Sequence, residues 1–182
     1  MKTTRLITTI AFAFTMLLSF NAEAQKFSGL DKSPMDAASF PSNYKESKKD
    51  IKIVYSRPQL KGRDINDLAK PGEVWRLGAN EAAELHVYND MILDGQEIED
   101  GTYTVYAIPG EKEWTIIISS DLNVWGSYFY NEENDVARIT VPVTKADESL
   151  EAFSIAFEES DNGVHMHMGW GTVRVAVPFV KG

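Results

Sequence analysis

The chain contains no cysteine and only three histidines, and its 18 lysines and arginines are outnumbered by 27 acidic residues. Without cysteine there is no disulfide framework and no thiolate chemistry, so stability has to come from packing. The formal net charge of −9 sets the surface against phosphate backbones and anionic headgroups, which excludes nucleic acid as a partner. Also missing are a glycine-rich phosphate cradle, a Gly-x-Ser-x-Gly elbow and a His-Glu-x-x-His helix. Apolar residues at helical spacing are scarce as well. A second apolar run of membrane-spanning length does not follow the first, so no stable membrane insertion is expected once the leader is gone.

The first run is itself short. In MKTTRLITTIAFAFTMLLSFNAEA, Lys2 and Arg5 precede the apolar stretch Leu6 to Phe20, and Ala22-Glu23-Ala24 closes it in the small-x-small pattern of a cleavage site. Residues 1–24 therefore read as a signal peptide, cleaved before Gln25. A cysteine for lipid attachment is absent, so the product is expected in the periplasm or outside the cell as a soluble protein, not as a lipoprotein. Cleavage leaves 158 residues and moves the net charge to −10, a length that suits one domain with a substantial core.

What the mature chain has in abundance is alternation. Ile51, Ile53 and Tyr55 alternate with polar neighbours, as do Leu85 and Val87. TYTVYAI (102–108) and WTIIIS (114–119) are rich in β-branched and aromatic residues. Asp94-Gly95 and Asp100-Gly101 are turn dipeptides. Further strands are expected at Trp125 to Tyr130, Val136 to Val143, Leu150 to Glu158, Val164 to Trp170 and Val173 to Val180. Polar loops at 131–135, 144–149 and 159–163 would separate them. Pro142 and Pro178 place their strands at sheet edges. Residues 25–50 read as a loosely held segment with at most one strand, near Met35 to Phe40. The sum, over residues 51–182, is an all-β single domain: a β-sandwich or jelly-roll-like barrel of about nine or ten strands. One long loop, 57–81, carries a short helix near Ile65 to Lys70, which Pro71-Gly72 ends.

That loop inverts the local charge. Arg57, Lys61, Arg63, Lys70 and Arg76 gather between prolines and glycines that permit sharp bends. Planar guanidinium forks and a tryptophan can hold a carboxylate, phosphate or sugar. Equally, arginines pin long loops through carboxylates and carbonyls. Arg57, Arg63 and Arg76 are expected to converge near Glu81 in either case. Trp75 and Trp125 are the two tryptophans expected at the surface, and Trp114 and Trp170 in the core.

The blocks YSRPQLKGR, VWRLGANEA and DGTYTVYAIPGEKEWTIII, the pair Trp125-Gly126 and GWGTVRVAVP resemble, in order, an exported bacterial family catalogued as domain of unknown function 2911. The resemblance spans roughly Ser33 to Val180. It implies an exported β-rich domain with no agreed activity, and it marks Arg57, Lys61, Gly62, Arg63, Trp75, Arg76, Gly78, Asn80 and Glu81 as signature positions. The chain departs from the pattern at Asp64-Ile65-Asn66, where Ile-Phe-Gly is common, and at Ala83, where threonine is usual.

His86, His165 and His167 form a second constellation. His165 and His167 share one strand face, and three imidazoles could hold zinc with an open fourth position. Histidine on the outer face of a strand is more simply a solvated side chain, so neither a metal nor another cofactor is expected. Three functions remain open. The leading one is a non-catalytic module holding a small anionic or carbohydrate ligand through Arg57, Lys61, Arg63, Trp75, Arg76, Asn80 and Glu81. The second is a purely structural envelope or secreted protein. A hydrolase built on the histidines or on a Glu81-centred pair is the third.

Overall fold

A computed structural model describes residues 25–182; the expected signal peptide lies outside the described residues. Gln25 to Leu30 carry no regular structure and are exposed. From Asp31 onward the chain forms one compact unit.

Its nine strands are β1 (Met35–Phe40), β2 (Ile51–Ser56), β3 (Ala83–Val87), β4 (Met91–Leu93), β5 (Gln96–Ile98), β6 (Gly101–Ile108), β7 (Glu113–Ser119), β8 (Asp135–Ser160) and β9 (Gly163–Lys181). All pairings are antiparallel, in the order β1-β2-β3-β6-β7-β8-β9-β4-β5. The fold is all-β, as expected from the alternation. The strand expected within residues 25–50 is β1, paired along its whole length with β2. At the β4–β5 turn, Asp94 and Gly95 both take positive φ, 51° and 77°, the geometry that suits a two-residue hairpin loop.

Three expectations are corrected. Residues 144–149 and 171–172 do not break the chain: β8 and β9 are each continuous and long. Their polar stretch arises because this part of the hairpin runs past the core, leaving Thr144, Lys145, Asp147, Glu148 and Ser149 exposed. Pro142 and Pro178 lie in interior strands, not at edges. Each stands where its strand changes partner: β8 passes from β7 to β9 after Pro142, and β9 passes from β8 to β4 around Pro178. A missing N–H is tolerated at such a handover. Trp125 to Tyr130 is not a strand but a run of turns with a single bridge at Trp125.

β8 carries more residues than β9 between Lys145 and Ser154, so it bulges away from its neighbour. The freed stretch bonds the chain beyond β2: Leu60 donates to the Glu151 carbonyl at 3.0 Å and Phe153 to the Pro58 carbonyl at 2.9 Å. On the opposite flank, the Gln96 side chain of β5 donates to the Arg138 carbonyl at 2.7 Å and accepts from Arg138 N at 3.3 Å. The sheet thus curls over on itself and encloses one core.

The inner faces supply alternate residues, among them Ile51, Ile53, Leu85, Val105, Ile116, Ile118, Met166 and Phe179, all fully buried. At the centre is an aromatic knot. Trp75 stacks on Trp170 with centroids 5.6 Å apart and meets Trp114 and Phe153 edge-on at 5.8 and 5.0 Å. Truncating such a residue to alanine costs about 3–5 kcal/mol. Trp75 is therefore core, contrary to its expected exposure, because Trp75 exchanges two backbone hydrogen bonds with Ala107 and is drawn in beside β6. Trp125 is exposed, as expected.

Candidate functional site

The long loop is shaped by local chemistry. Asp64 caps a one-turn helix α1 (Ile65–Leu68) by accepting from Asn66 N at 2.8 Å. Lys61, Leu77 and Asn80 hold left-handed φ of 49°, 51° and 62°, conformations that non-glycine residues keep only when their surroundings insist. Gly78 is obligatory for a different reason: a Cβ there would stand 2.8 Å from the Ser56 carbonyl oxygen. The loop lies that close to β2.

The three arginines do not converge near Glu81. Arg57 donates from Nε to the Phe153 carbonyl at 3.0 Å, from Nη1 to Asp36 at 2.9 Å and from Nη2 to Ser154 Oγ at 2.7 Å. Arg63 turns back on its own loop, to the carbonyls of Leu60 at 2.9 Å and Gln59 at 2.7 Å. Only Arg76 reaches the neighbourhood of Glu81, donating one hydrogen bond, 3.2 Å, to the Asn80 carbonyl. The reason is topological: Arg57 and Arg63 flank the segment that bonds β8, while Arg76 sits at the far end of the loop. Lys61 donates its backbone N–H to Glu151 at 2.7 Å, and its side chain is exposed.

At Arg76 a second segment arrives. Ala82 N donates to the Val124 carbonyl at 3.0 Å, Gly126 N to the Asn80 carbonyl at 3.0 Å, and Ser127 Oγ to the Val74 carbonyl at 2.8 Å. Glu81 and Trp125 form an isolated bridge. The guanidinium of Arg76 lies over the Tyr128 ring, 6.0 Å from its centroid. That ring packs so closely on Gly126 that a Cβ there would stand 2.7 Å from it. The result is an exposed aromatic surface of Trp125, Tyr128 and Phe129, at 54, 74 and 78% exposure. The Asp31 carboxyl lies below its ordinary range, chiefly through the Ser33 N–H and then through the Asn80 amide. Beside this surface opens a pocket of about 200 Å³, lined by Ser56, Glu81, Glu84, Thr104 and Asn123 among others. Of the residues at this corner, the sequence reading puts Arg76, Asn80 and Glu81 in its candidate site and Trp125 only at the surface, and it does not single out Glu84, Tyr128 or Phe129. The available signal was Gly126-Ser127 inside the aromatic run WGSYFY, residues that favour a turn over a strand interior.

The segment 120–134 is seated on a polar layer of the sheet. Tyr106 and Ile117, both wholly buried, lie beneath it, and Tyr130 meets Tyr106 edge-on at 5.2 Å. Tyr130 donates to Asp135 at 2.8 Å, Asn134 to Asp121 at 2.7 Å and Thr104 to the Asp121 carbonyl at 2.7 Å; Arg138 adds bonds to Asp135 and the Tyr130 hydroxyl. The Tyr106 hydroxyl is buried and has no hydrogen-bond partner among the described residues. Burial, then the charges of Asp121 and Asp135 with Tyr130 between them, pushes its pKa up to about 12.

The histidines stay apart. His86 on β3 stands 2.8 Å from Glu84 and 3.2 Å from Thr102. His165 and His167 lie together on β9, 5.9 Å between ring centroids, with His167 Nε2 3.3 Å from Glu158 but out of line for a hydrogen bond. Among the described residues, no three histidine or carboxylate side chains are placed to share a metal ion, so the constellation considered for zinc is not assembled.

No curated protein and no solved structure matches the chain. A family match covers residues 33–179, and with it the β1–β9 core, the pinned loop and the Arg76 corner. The chain belongs to the family described as Protein of unknown function (DUF2911).

Proposed function

We propose that this is an exported, non-catalytic binding module, and that its ligand, anionic or sugar-like, sits at the corner formed by Arg76, Asn80, Glu81, Trp125 and Tyr128. One observation carries the reading. Of the three arginines in the loop, two have their forks engaged by protein oxygens, while Arg76 makes a single hydrogen bond beside an exposed aromatic surface. Exposed aromatics in a contiguous patch on a protein of this charge mark an interaction surface. The ligand-facing tryptophan is then Trp125, with Trp75 reassigned to the core. Arg57 and Lys61 take a supporting part, tying the loop to β8, and Arg63 braces the loop on itself.

The leader pattern of residues 1–24 supports a location in the periplasm or outside the cell. The engaged state of Arg57 and Arg63 favours a second reading, in which the whole loop only builds the domain. Thermal shift separates the two. The protein is screened against sugars, cell-wall fragments, organic acids and divalent metals; a ligand at a hundredfold excess over its Kd adds about 2.7 kcal/mol. The binding reading expects a stabilising ligand whose effect disappears in Arg76→Ala and Trp125→Ala. A screen in which nothing stabilises the wild type, or in which both variants respond as it does, leaves the structural reading.

A further inference from the structure

We infer that the ligand of this corner is an uncharged, hydroxyl-rich carbohydrate; this rests on the binding reading above and narrows it. The pocket beside Trp125 is lined by two carboxylates, Glu81 and Glu84, together with Ser56, Thr104 and Asn123, and among the described residues no lysine or arginine lines it. A negative charge brought close to a carboxylate is repelled, less where, as at Glu84, an imidazole stands 2.8 Å away. An anionic group entering the pocket meets that repulsion from both glutamates, and meets it within a chain of net charge −9. The nearest cation of the site, Arg76, lies over the Tyr128 ring and donates to the Asn80 carbonyl. Its charge sits on the aromatic side of the corner, outside the pocket lining.

The same position of Arg76 disfavours a cationic ligand. Aromatic faces with carboxylates nearby would otherwise suit an ammonium, but the guanidinium already faces Tyr128 and repels a second cation there. A neutral ligand escapes both repulsions. Its hydroxyls donate to carboxylate and amide oxygens, bonds strengthened by the acceptor's charge, and its C–H faces lie on Trp125 and Tyr128, which combine apolar area with a polar tip. Sugar rings have this combination. At about 200 Å³ the pocket is smaller than the roughly 300 Å³ at which small-molecule sites begin, so it accommodates one sugar residue. The rest of the chain extends over the exposed aromatics.

The test is isothermal titration of the purified protein with hexasaccharides of equal length. The neutral probes are hexamers of β-1,4-glucose, β-1,3-glucose, α-1,4-glucose, β-1,4-xylose, β-1,4-mannose and N-acetylglucosamine. The acidic probe is hexagalacturonate and the cationic probe hexaglucosamine. At least one neutral hexamer is expected to bind while both charged probes do not. Trp125→Ala and Glu84→Gln should each weaken binding at least tenfold with unchanged melting temperature, since Trp125 is exposed and Glu84 lines the opening. Binding of hexagalacturonate alone, lost in Arg76→Ala, overturns the neutral class but leaves the binding reading standing, as does binding of hexaglucosamine alone. Absence of binding by every probe overturns this inference, and the thermal-shift screen then decides the broader reading. Binding that survives both Trp125→Ala and Glu84→Gln places the site elsewhere and overturns both.

Discussion

Arg57 and Phe153 are 96 residues apart in sequence, and the guanidinium Nε of one donates to the carbonyl of the other at 3.0 Å. The ring of Phe153 lies 5.0 Å from that of Trp75. One arginine thereby fastens the loop to β8 at the place where β8 feeds the aromatic knot, and the loop's arginines separate into two whose forks are engaged by protein oxygens and one, Arg76, that makes a single hydrogen bond.

Removing them one at a time should reveal the division. Arg57→Ala strands the Phe153 carbonyl, Ser154 and Asp36 and should cost about 2–4 kcal/mol, given about 1.5–3 kcal/mol for a hydrogen bond to a charged group and little from the partly exposed Asp36 pair. Arg63→Ala, whose contacts are exposed, should cost about 1 kcal/mol or less. Arg76→Ala should leave stability within about 0.5 kcal/mol of wild type. Urea denaturation measures all three, and equal losses at Arg57 and Arg76 would contradict the division.

Two buried tyrosines should respond oppositely to loss of the hydroxyl. Tyr55 Oη accepts from Ile155 N at 2.8 Å, so Tyr55→Phe leaves a buried N–H unpaired and should cost about 1–3 kcal/mol. The Tyr106 hydroxyl has no hydrogen-bond partner among the described residues, so Tyr106→Phe should be neutral or stabilising. The same denaturation experiment decides it; a loss at Tyr106 as large as that at Tyr55 would mean its hydroxyl is satisfied in solution.

Stability should fall at alkaline pH. The pKa of Tyr106 is pushed up to about 12 in the folded state against about 10 unfolded. Below pH 10 both states keep the proton and the contribution is complete. Between about pH 10 and 12 the unfolded chain releases a proton that the native one retains, so stability drops as pH rises. Tyr55, Tyr103 and Tyr130 are raised in the same direction, mainly by burial. Melting temperature measured from pH 8 to 12 should decline with a slope that Tyr106→Phe reduces; an unchanged slope in that variant would assign the decline to other groups.

The sequence showed the strands wherever one face is buried, because alternation is then enforced: Ile51, Ile53 and Tyr55, or Leu85 and Val87, allow no other period. It hid the continuity of β8 and β9 because Thr144, Lys145 and Asp147 to Ser149 are exposed, so polarity there resembles a loop. At the site, the Arg76–Glu81 stretch stood out through its charge and its glycine, Gly78. The positions of Arg57 and Arg63 did not, since their partners Phe153, Ser154, Gln59 and Leu60 are set by a bulge in β8 that no local pattern announces. Trp75 was misplaced for a related reason: its burial depends on pairing with Ala107, more than thirty residues away.

Export has its own check. The mature N-terminus is expected at Gln25, following Ala22-Glu23-Ala24. Intact mass of protein recovered from the cell envelope or medium should correspond to residues 25–182, and a full-length chain retaining Met1 in the cytoplasm would contradict it.

The central claim is that ligand is held at the Arg76–Trp125 corner. Its most direct test is chemical-shift mapping of backbone amides and tryptophan indoles while the labelled protein is titrated with the stabilising compound from the thermal-shift screen. Perturbations are expected to concentrate on Arg76 to Ala82, Glu84 and Asn123 to Phe129, with the Trp125 indole among the largest and the buried Trp75 indole little changed. Perturbations centred instead on the groove of Leu150, Ile155, His167 and Arg174, with the Trp125 indole unmoved, would contradict the account.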